Sequence, residues 1–197
     1  MADQHPVIDA IQNRRSVAPR RLTAPGPDDE RLRLIISAAL AAPDHARLRP
    51  WRFLRIGDKA RDQLATIFAE AARELDPGLV DEALAKEAEK ARHGPCLIAV
   101  IARIAEDHPV APVTEQWASV GAAIQNMLLA AEDLGYRAMI VSGRKVKAER
   151  FRQAFGLSQG EHLVGFVAVG TPSAPPSPIE RPQVDDHFRD WSGEGQD

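Results

Sequence analysis

Three short cationic stretches are where this 197-residue sequence concentrates groups able to do chemistry. Arg14, Arg15 and Ser16 make the first, in "NRRS". Asp44, His45, Arg47 and Arg49 crowd the second, "APDHARLRPWRF", held between Pro43 and Pro50 just ahead of Trp51. "VSGRK" is the third, carrying Ser142, Gly143, Arg144 and Lys145. Guanidinium groups bind phosphate through paired, charge-assisted hydrogen bonds of about 1.5–3 kcal/mol each, so arginines clustered beside a serine suit an anionic ligand. Each stretch alone also has a plainer reading. Arginines that follow a helix sit well at the negative end of its dipole. An Asp-His pair after proline makes a turn, Trp51 belongs to a core, and "SGRK" makes a solvated loop. Taken singly, the stretches specify an anion-binding loop at most and no reaction.

Other chemistries lack their residues. No glycine-rich phosphate loop of the dinucleotide or P-loop form is present. His5, His45, His93, His108, His162 and His187 fall at no metal-ligand spacing, and Cys96 is the only cysteine, so the pattern offers neither a zinc site nor an internal disulfide. Cys96 lies inside the apolar run "CLIAVIA" and reads as a buried structural thiol rather than a nucleophile. Neither Ser16 nor Ser142 has the context of a triad nucleophile, and we nominate no protein general acid or base. A formal net charge of -3 and a pI near 6.1 argue against a nucleic-acid or anionic-membrane partner. The longest apolar run is too short to span a bilayer, and "MADQHPVIDA" lacks the start of a secretory signal, which points to a cytoplasmic protein.

The elements that must position these loops follow from hydrophobic period and punctuation. Val7, Ile8 and Ile11 share a face of a short helix over 6–13 that runs into the arginines. Pro27, Asp28, Asp29 and Glu30 announce a second helix, carried by Leu32, Ile35, Ile36, Ala39 and Leu40 and stopped by Pro43. "WRFLRI" reads as a strand, and helices follow from Asp58 and over 80–92. "CLIAVIARI" has too little alternation for an exposed strand and reads as a central one. Trp117, Val120, Ile124, Met127, Leu128 and Ala131 mark the most apolar helix, ending at Gly135. "RAMIVS" and "HLVGFVAVG" are two further strands around a helix at 147–155. The pattern predicts an α+β or mixed α/β domain over residues 1–197, with about four strands. A proline-rich extension, 172–197, cannot form a core element, although Phe188 and Trp191 imply that it docks on something.

The ordered series is more specific than its parts. "NRRS", then "AAPDHARLRPWRF", a long apolar helix, "GYRAMIVSG" and a strand ending "VGTP" together resemble the nitroreductase-like family of FMN-dependent oxidoreductases. The similarity is greatest to the small single-domain subgroup that carries "APDH" before "PW", and it covers residues 7 to 172. The resemblance implies a central, mixed but largely antiparallel sheet flanked by helices. It implies a homodimer with FMN at the subunit interface and NAD(P)H as hydride donor, with a nitroaromatic or quinone as the small-molecule acceptor.

By the same resemblance, Arg14, Arg15 and Ser16 reach the flavin's phosphate and ring. Pro43, Asp44, His45, Ala46 and Arg47 reach FMN across the dimer interface, and Ile140, Val141, Ser142 and Gly143 bring backbone donors near the reactive ring nitrogen. Ala130 to Gly135 match a segment associated with nicotinamide nucleotide. The sequence also departs from the family. Ala18 stands where a basic residue is common, with Arg20 or Arg21 as substitutes after a shifted loop, and "GTPSAPPSP" offers no cation before Arg181. Arg49 replaces a frequent glutamine, and Val141 a frequent aromatic or basic residue. These departures keep open a dehalogenating or flavin-consuming relative, a non-catalytic flavin-binding or redox-sensing module, and an interaction domain that has lost the cofactor.

Overall fold

The computed structural model describes residues 5–191 and 193. A short helix, α1 (Pro6–Asn13), leads through a two-residue strand, β1 (Leu22–Thr23), into α2 (Asp29–Leu40). Strand β2 (Trp51–Arg55) is followed by α3 (Arg61–Leu75) and α4 (Asp81–Glu89), then by β3 (Cys96–Arg103). The long helix α5 (Val113–Asp133) turns into β4 (Arg137–Val141), and α6 (Glu149–Ala154) precedes β5 (Glu161–Pro172). The helices and long strands lie where the periodicity places them. The strand count is five rather than four, because β1 is too short to leave a pattern.

Every pair of named strands is antiparallel: β5 pairs with β1, β3 and β4, and β3 carries β2 on its other edge. The parallel element is an isolated bridge, Ser16 to Ala138. Alternation along β3 feeds two cores. Leu97, Ala99 and Ile101 join Leu64, Phe151 and Phe166 beneath α3 and α6, while Ile98, Val100 and Ala102 join Ile35, Val120 and Met127 beneath α2 and α5. The sheet is thus covered on both faces, which explains why its central strand reads as a continuous apolar run. Cys96 is buried, and burial pushes its thiol pKa up against the opposing pull of Arg55 and Arg61.

Local chemistry fixes the ends of these elements. Asp28 caps α2 by accepting from the Arg31 amide at 2.8 Å. Helix α5 closes in a Schellman turn: Gly135 has φ 86°, its amide donates to Glu132 O at 3.0 Å, and the Tyr136 amide donates to Ala131 O at 2.9 Å. That turn sends the chain straight back along β4. At the far end of β4, the carbonyl of Val141 occupies the place a Cβ at residue 165 would take, so only Gly165 lets β4 close onto the bulged part of β5.

An ion cluster pins the sheet's other end. Glu161 accepts from Arg52 at 2.7 and 2.9 Å, from Arg103 at 2.9 Å and from the Ser158 amide at 3.1 Å. The Arg52 hydrogen bond, aided by the Ser158 amide and Arg103 and opposed by burial, brings its carboxyl from an ordinary 4.5 down to about 2. A depressed carboxylate pKa stabilises the fold above pH 4.5 and loses that contribution as pH falls toward 2. Glu161→Gln is therefore expected to cost about 2–3 kcal/mol at pH 7, and the gap from wild type should close in urea denaturation series taken down to pH 2. A gap that stays constant across the series contradicts this ion cluster.

Candidate functional site

The first cationic loop is built on β4. Ser16 bridges to Ala138, and the Arg15 amide donates to Glu132 at 3.1 Å, which fastens the loop to the last turn of α5. Arg14 reaches the Ser16 hydroxyl at 3.1 Å, and Arg15 turns back to the carbonyls of Gln12 and Arg14 at 2.9 and 3.1 Å. The proline-rich extension returns to the same place. Arg181 donates to the carbonyls of Gln12 and Arg14 at 3.1 and 2.9 Å. A cavity of about 260 Å³ lies between Arg14, Arg15, Ser16, Arg21 and Arg181, and the segment 176–179 forms its far wall. None of these four arginines has an ion pair among the described residues.

Two apparent gaps in the sequence close here. Arg181 restores a cation after the last strand, and Arg21, on the turn that follows Ala18, lines this cavity. Arg20 takes a different direction and faces the next cavity along β4.

That next cavity, of about 380 Å³, is largely apolar, with Val141 and Ser142 on one side and Arg20, Lys90, His93 and Lys145 at its polar positions. Burial pushes the Glu87 carboxyl up, but hydrogen bonds from Lys145 and Lys90 outweigh it and hold the pKa below its ordinary value. The Ser142 hydroxyl is committed to the Val164 carbonyl. Gly143 has φ 126°, a region L-residues avoid, and a Cβ there would meet no atom within 4 Å. Ile140 points elsewhere and packs against the α2–α5 core.

The second cationic stretch stands apart. Asp44 accepts from the Arg49 amide at 2.6 Å across a loop in which Ala46, Arg47 and Arg49 have φ of 62°, 54° and 50°. Non-glycine residues in that region cost roughly 1–2 kcal/mol each, so the loop keeps its shape only because its ends and side chains are tied. Pro43 precedes it and Pro50 is buried behind it. His45 Nδ1 lies 2.5 Å from Glu115 Oε2, on the first turn of α5. His45, Ala46 and Arg47 are otherwise exposed. Glu115 holds this loop and Glu132 holds the arginine loop, and positions 115 and 132 are seventeen residues apart on α5. At about 1.5 Å per residue, the two anchors are roughly 25 Å apart. Within one chain the structure brings Arg14, Arg15 and Ser16 together and sets Val141 to Gly143 along the same strand, but it leaves 43–47 at the other end of the helix.

The sequence profile of the nitroreductase family matches residues 11–171, an interval that contains all three stretches. The chain belongs to the nitroreductase family. Among its relatives, "Putative NAD(P)H nitroreductase YdjA" of Escherichia coli K12 is 33% identical over 165 residues, spanning 84% of this chain and 87% of that protein. A Haemophilus influenzae protein of the same description is 34% identical over 152 residues, 77% of this chain and 82% of the relative. The crystal structure of a nitroreductase-like protein from Bacillus cereus shares the fold at a TM-score of 0.80 and 23% identity, over 98% of this chain and all of that one. A nitroreductase-family structure from Desulfovibrio desulfuricans, in complex with FMN, superposes at a TM-score of 0.72 with 27% identity, covering 95% of this chain and 98% of that one. Membership makes this chain an oxidoreductase, and the cavities along β4 are the places to look for its cofactor.

Sequence reasoning missed Glu115 and Glu132 as anchors, and Lys90 and His93 as lining residues. Its one usable signal was a carboxylate at either end of an otherwise apolar helix. The loop's shape is testable by itself. Asp44→Ala removes the acceptor of the Arg49 amide and is expected to cost about 1–2 kcal/mol and to speed hydrogen exchange across 44–49. Exchange there at the wild-type rate contradicts the tie.

Proposed function

We propose that this nitroreductase-family chain binds FMN and works as a homodimeric NAD(P)H oxidoreductase, reducing a small acceptor such as a nitroaromatic or quinone. The observation that carries the reading is the cavity ringed by Arg14, Arg15, Arg21 and Arg181 beside Ser16. Four uncompensated guanidinium groups and a hydroxyl around a space this small suit a dianionic phosphate, and few other groups would balance that charge. In this reading Arg14, Ser16 and Arg181 hold the phosphate. The apolar cavity beside Val141 and Ser142 takes the flavin ring, with Arg20, Lys90 and Lys145 at its polar edge. Bound FMN supplies hydride acceptance and donation; the chain supplies charge, shape and exclusion of water. The backbone of Val141 to Gly143 offers donors that carry no titrating group, so their help does not depend on pH.

A second copy supports the reading physically. Val7, Ile8 and Ile11 on α1 are 69%, 50% and 47% exposed, and none of that helix is buried. Leu34 and Leu40 on α2 and Phe188 and Trp191 on the extension are exposed as well, an apolar inventory that a lone soluble chain seldom leaves uncovered. Segment 43–47 of one copy would then close the FMN site of the other, which the 25 Å between its own anchors does not favour within one chain. A chain whose lone thiol is buried suits the reducing cytoplasm. Among the described residues, no helix is long and apolar enough to cross a membrane. The alternative of a domain that has lost its cofactor rested on Ala18 and on the lack of a cation just after the last strand, and Arg21 and Arg181 at the cavity weigh against it.

Arg14→Ala and Arg181→Ala should each weaken FMN binding about tenfold or more, since each removes a charged hydrogen-bond donor from the phosphate. Fluorescence titration of FMN into each variant measures this. Wild-type affinity in both variants would sink the phosphate assignment.

A further inference from the structure

Beyond Ser142 and Gly143 the β4 turn opens into a wider cleft of about 790 Å³ whose chemistry differs from that of the two cavities above. Trp117, on α5, and His162, on β5, form an aromatic wall with ring centroids 5.7 Å apart and a 50° tilt. Trp117 is 38% exposed although it lies on the most apolar helix of the chain. Arg144 and Lys147, on the 3-10 turn Arg144–Lys147, and Arg152, on α6, bring three cations to the same space. Among the described residues, none of the three side chains makes an ion pair or a hydrogen bond. Glu161 also borders the cleft, but Arg52 and Arg103 already match its charge, so it does not neutralise these cations. The cleft combines an exposed indole face with positive charge that nothing among the described residues balances. Such a surface attracts a flat ring bearing an anionic group and repels a cationic one.

We propose that this cleft selects the acceptor, and that the acceptor is an aromatic compound carrying a carboxylate or sulfonate. The inference rests on the flavoenzyme reading, because Ser142 and Val146 border both the cleft and the proposed ring site. The ring lies against Trp117, and its anionic group meets Arg144, Lys147 and Arg152. For a nitroaromatic acid the first two-electron reduction balances as one nitro group, one NAD(P)H and one solvent proton giving the nitroso compound, NAD(P)+ and water.

The test uses the full-length chain incubated with FMN and two near-isosteric acceptors, 4-nitrobenzoate and 4-nitrobenzamide, at saturating NADPH. The double variant Lys147→Gln, Arg152→Gln should lower the benzoate-to-benzamide ratio of kcat/KM roughly tenfold, through KM for the benzoate. Added salt should shrink the wild-type ratio in the same direction. Calorimetry with 2-naphthoate and 2-naphthamide, neither of which is reduced, supplies a second readout: the double variant should bind the naphthoate about tenfold more weakly and the naphthamide as wild type does. Turnover of both acceptors with an unmoved ratio overturns the inference and leaves the flavoenzyme reading standing. So does a variant that raises KM for NADPH alone, since the cations would then serve the donor. Charge-dependent naphthoate binding with no FMN retained and no turnover of either acceptor supports the cleft and overturns the flavoenzyme reading.

Discussion

Helix α5 holds two carboxylates seventeen residues apart, and the placement of the first two charged loops depends on that spacing. Its length is rigid because one face is spent on the core with α2 and the sheet. Gln116 locks its start, taking the Ala105 amide and giving to the carbonyls of Ala105 and Ala111, each at 2.8 Å. Gly135 locks its end in the Schellman turn. Glu132 fastens the arginine loop against β4, and Glu115 fastens the strained 43–47 segment at the opposite pole. Neither anchor can approach the other without unwinding the helix. The two loops are therefore held at opposite ends of one helix.

Charge in this protein divides into two kinds. Carboxylates that touch the sheet or the helices are matched, as Glu161 is by Arg52 and Arg103 and Glu87 by Lys90 and Lys145. Two groups of cations that face cavities have no ion pair among the described residues: Arg14, Arg21 and Arg181 around the cavity of about 260 Å³, and Arg144, Lys147 and Arg152 around the cleft of about 790 Å³. An overall net charge of -3 hides this separation, because the surplus acid is spread over solvent-facing helices. Local excess is what identifies a ligand's charge; the sum over the chain only excludes large polyanions.

Much of this was readable in the sequence, and what was not has physical causes. β3 announced itself because a strand covered on both faces has no reason to alternate. The end of α5 was legible because glycine alone is at ease in the left-handed turn that "EDLGY" needs. β1 escaped notice because two residues carry no period. Arg181 could not be assigned because its partners, Gln12 and Arg14, lie 169 and 167 residues away and are backbone carbonyls, which any residue could offer. Glu115 and Glu132 drew no notice, since a carboxylate gives no local sign of which amide or imidazole will meet it. Gly165 is required by the Val141 carbonyl of another strand, a constraint that exists only after the sheet has formed. Phe188 and Trp191 were expected to dock, yet they are 69% and 84% exposed.

Subunit complementation tests the shared site most directly. One tagged chain carries Arg14→Ala with Arg181→Ala, the other carries His45→Ala with Arg47→Ala, and each alone should hold FMN weakly. If the phosphate cradle of one copy works with segment 43–47 of another, the doubly tagged mixed pair contains one intact site and one doubly damaged one. Titration of the purified pair should then recover one tight FMN per dimer. A mixed pair that binds FMN as weakly as both parents would show that each chain builds its site alone, and the account of α5 as the spacer between two half-sites would be wrong.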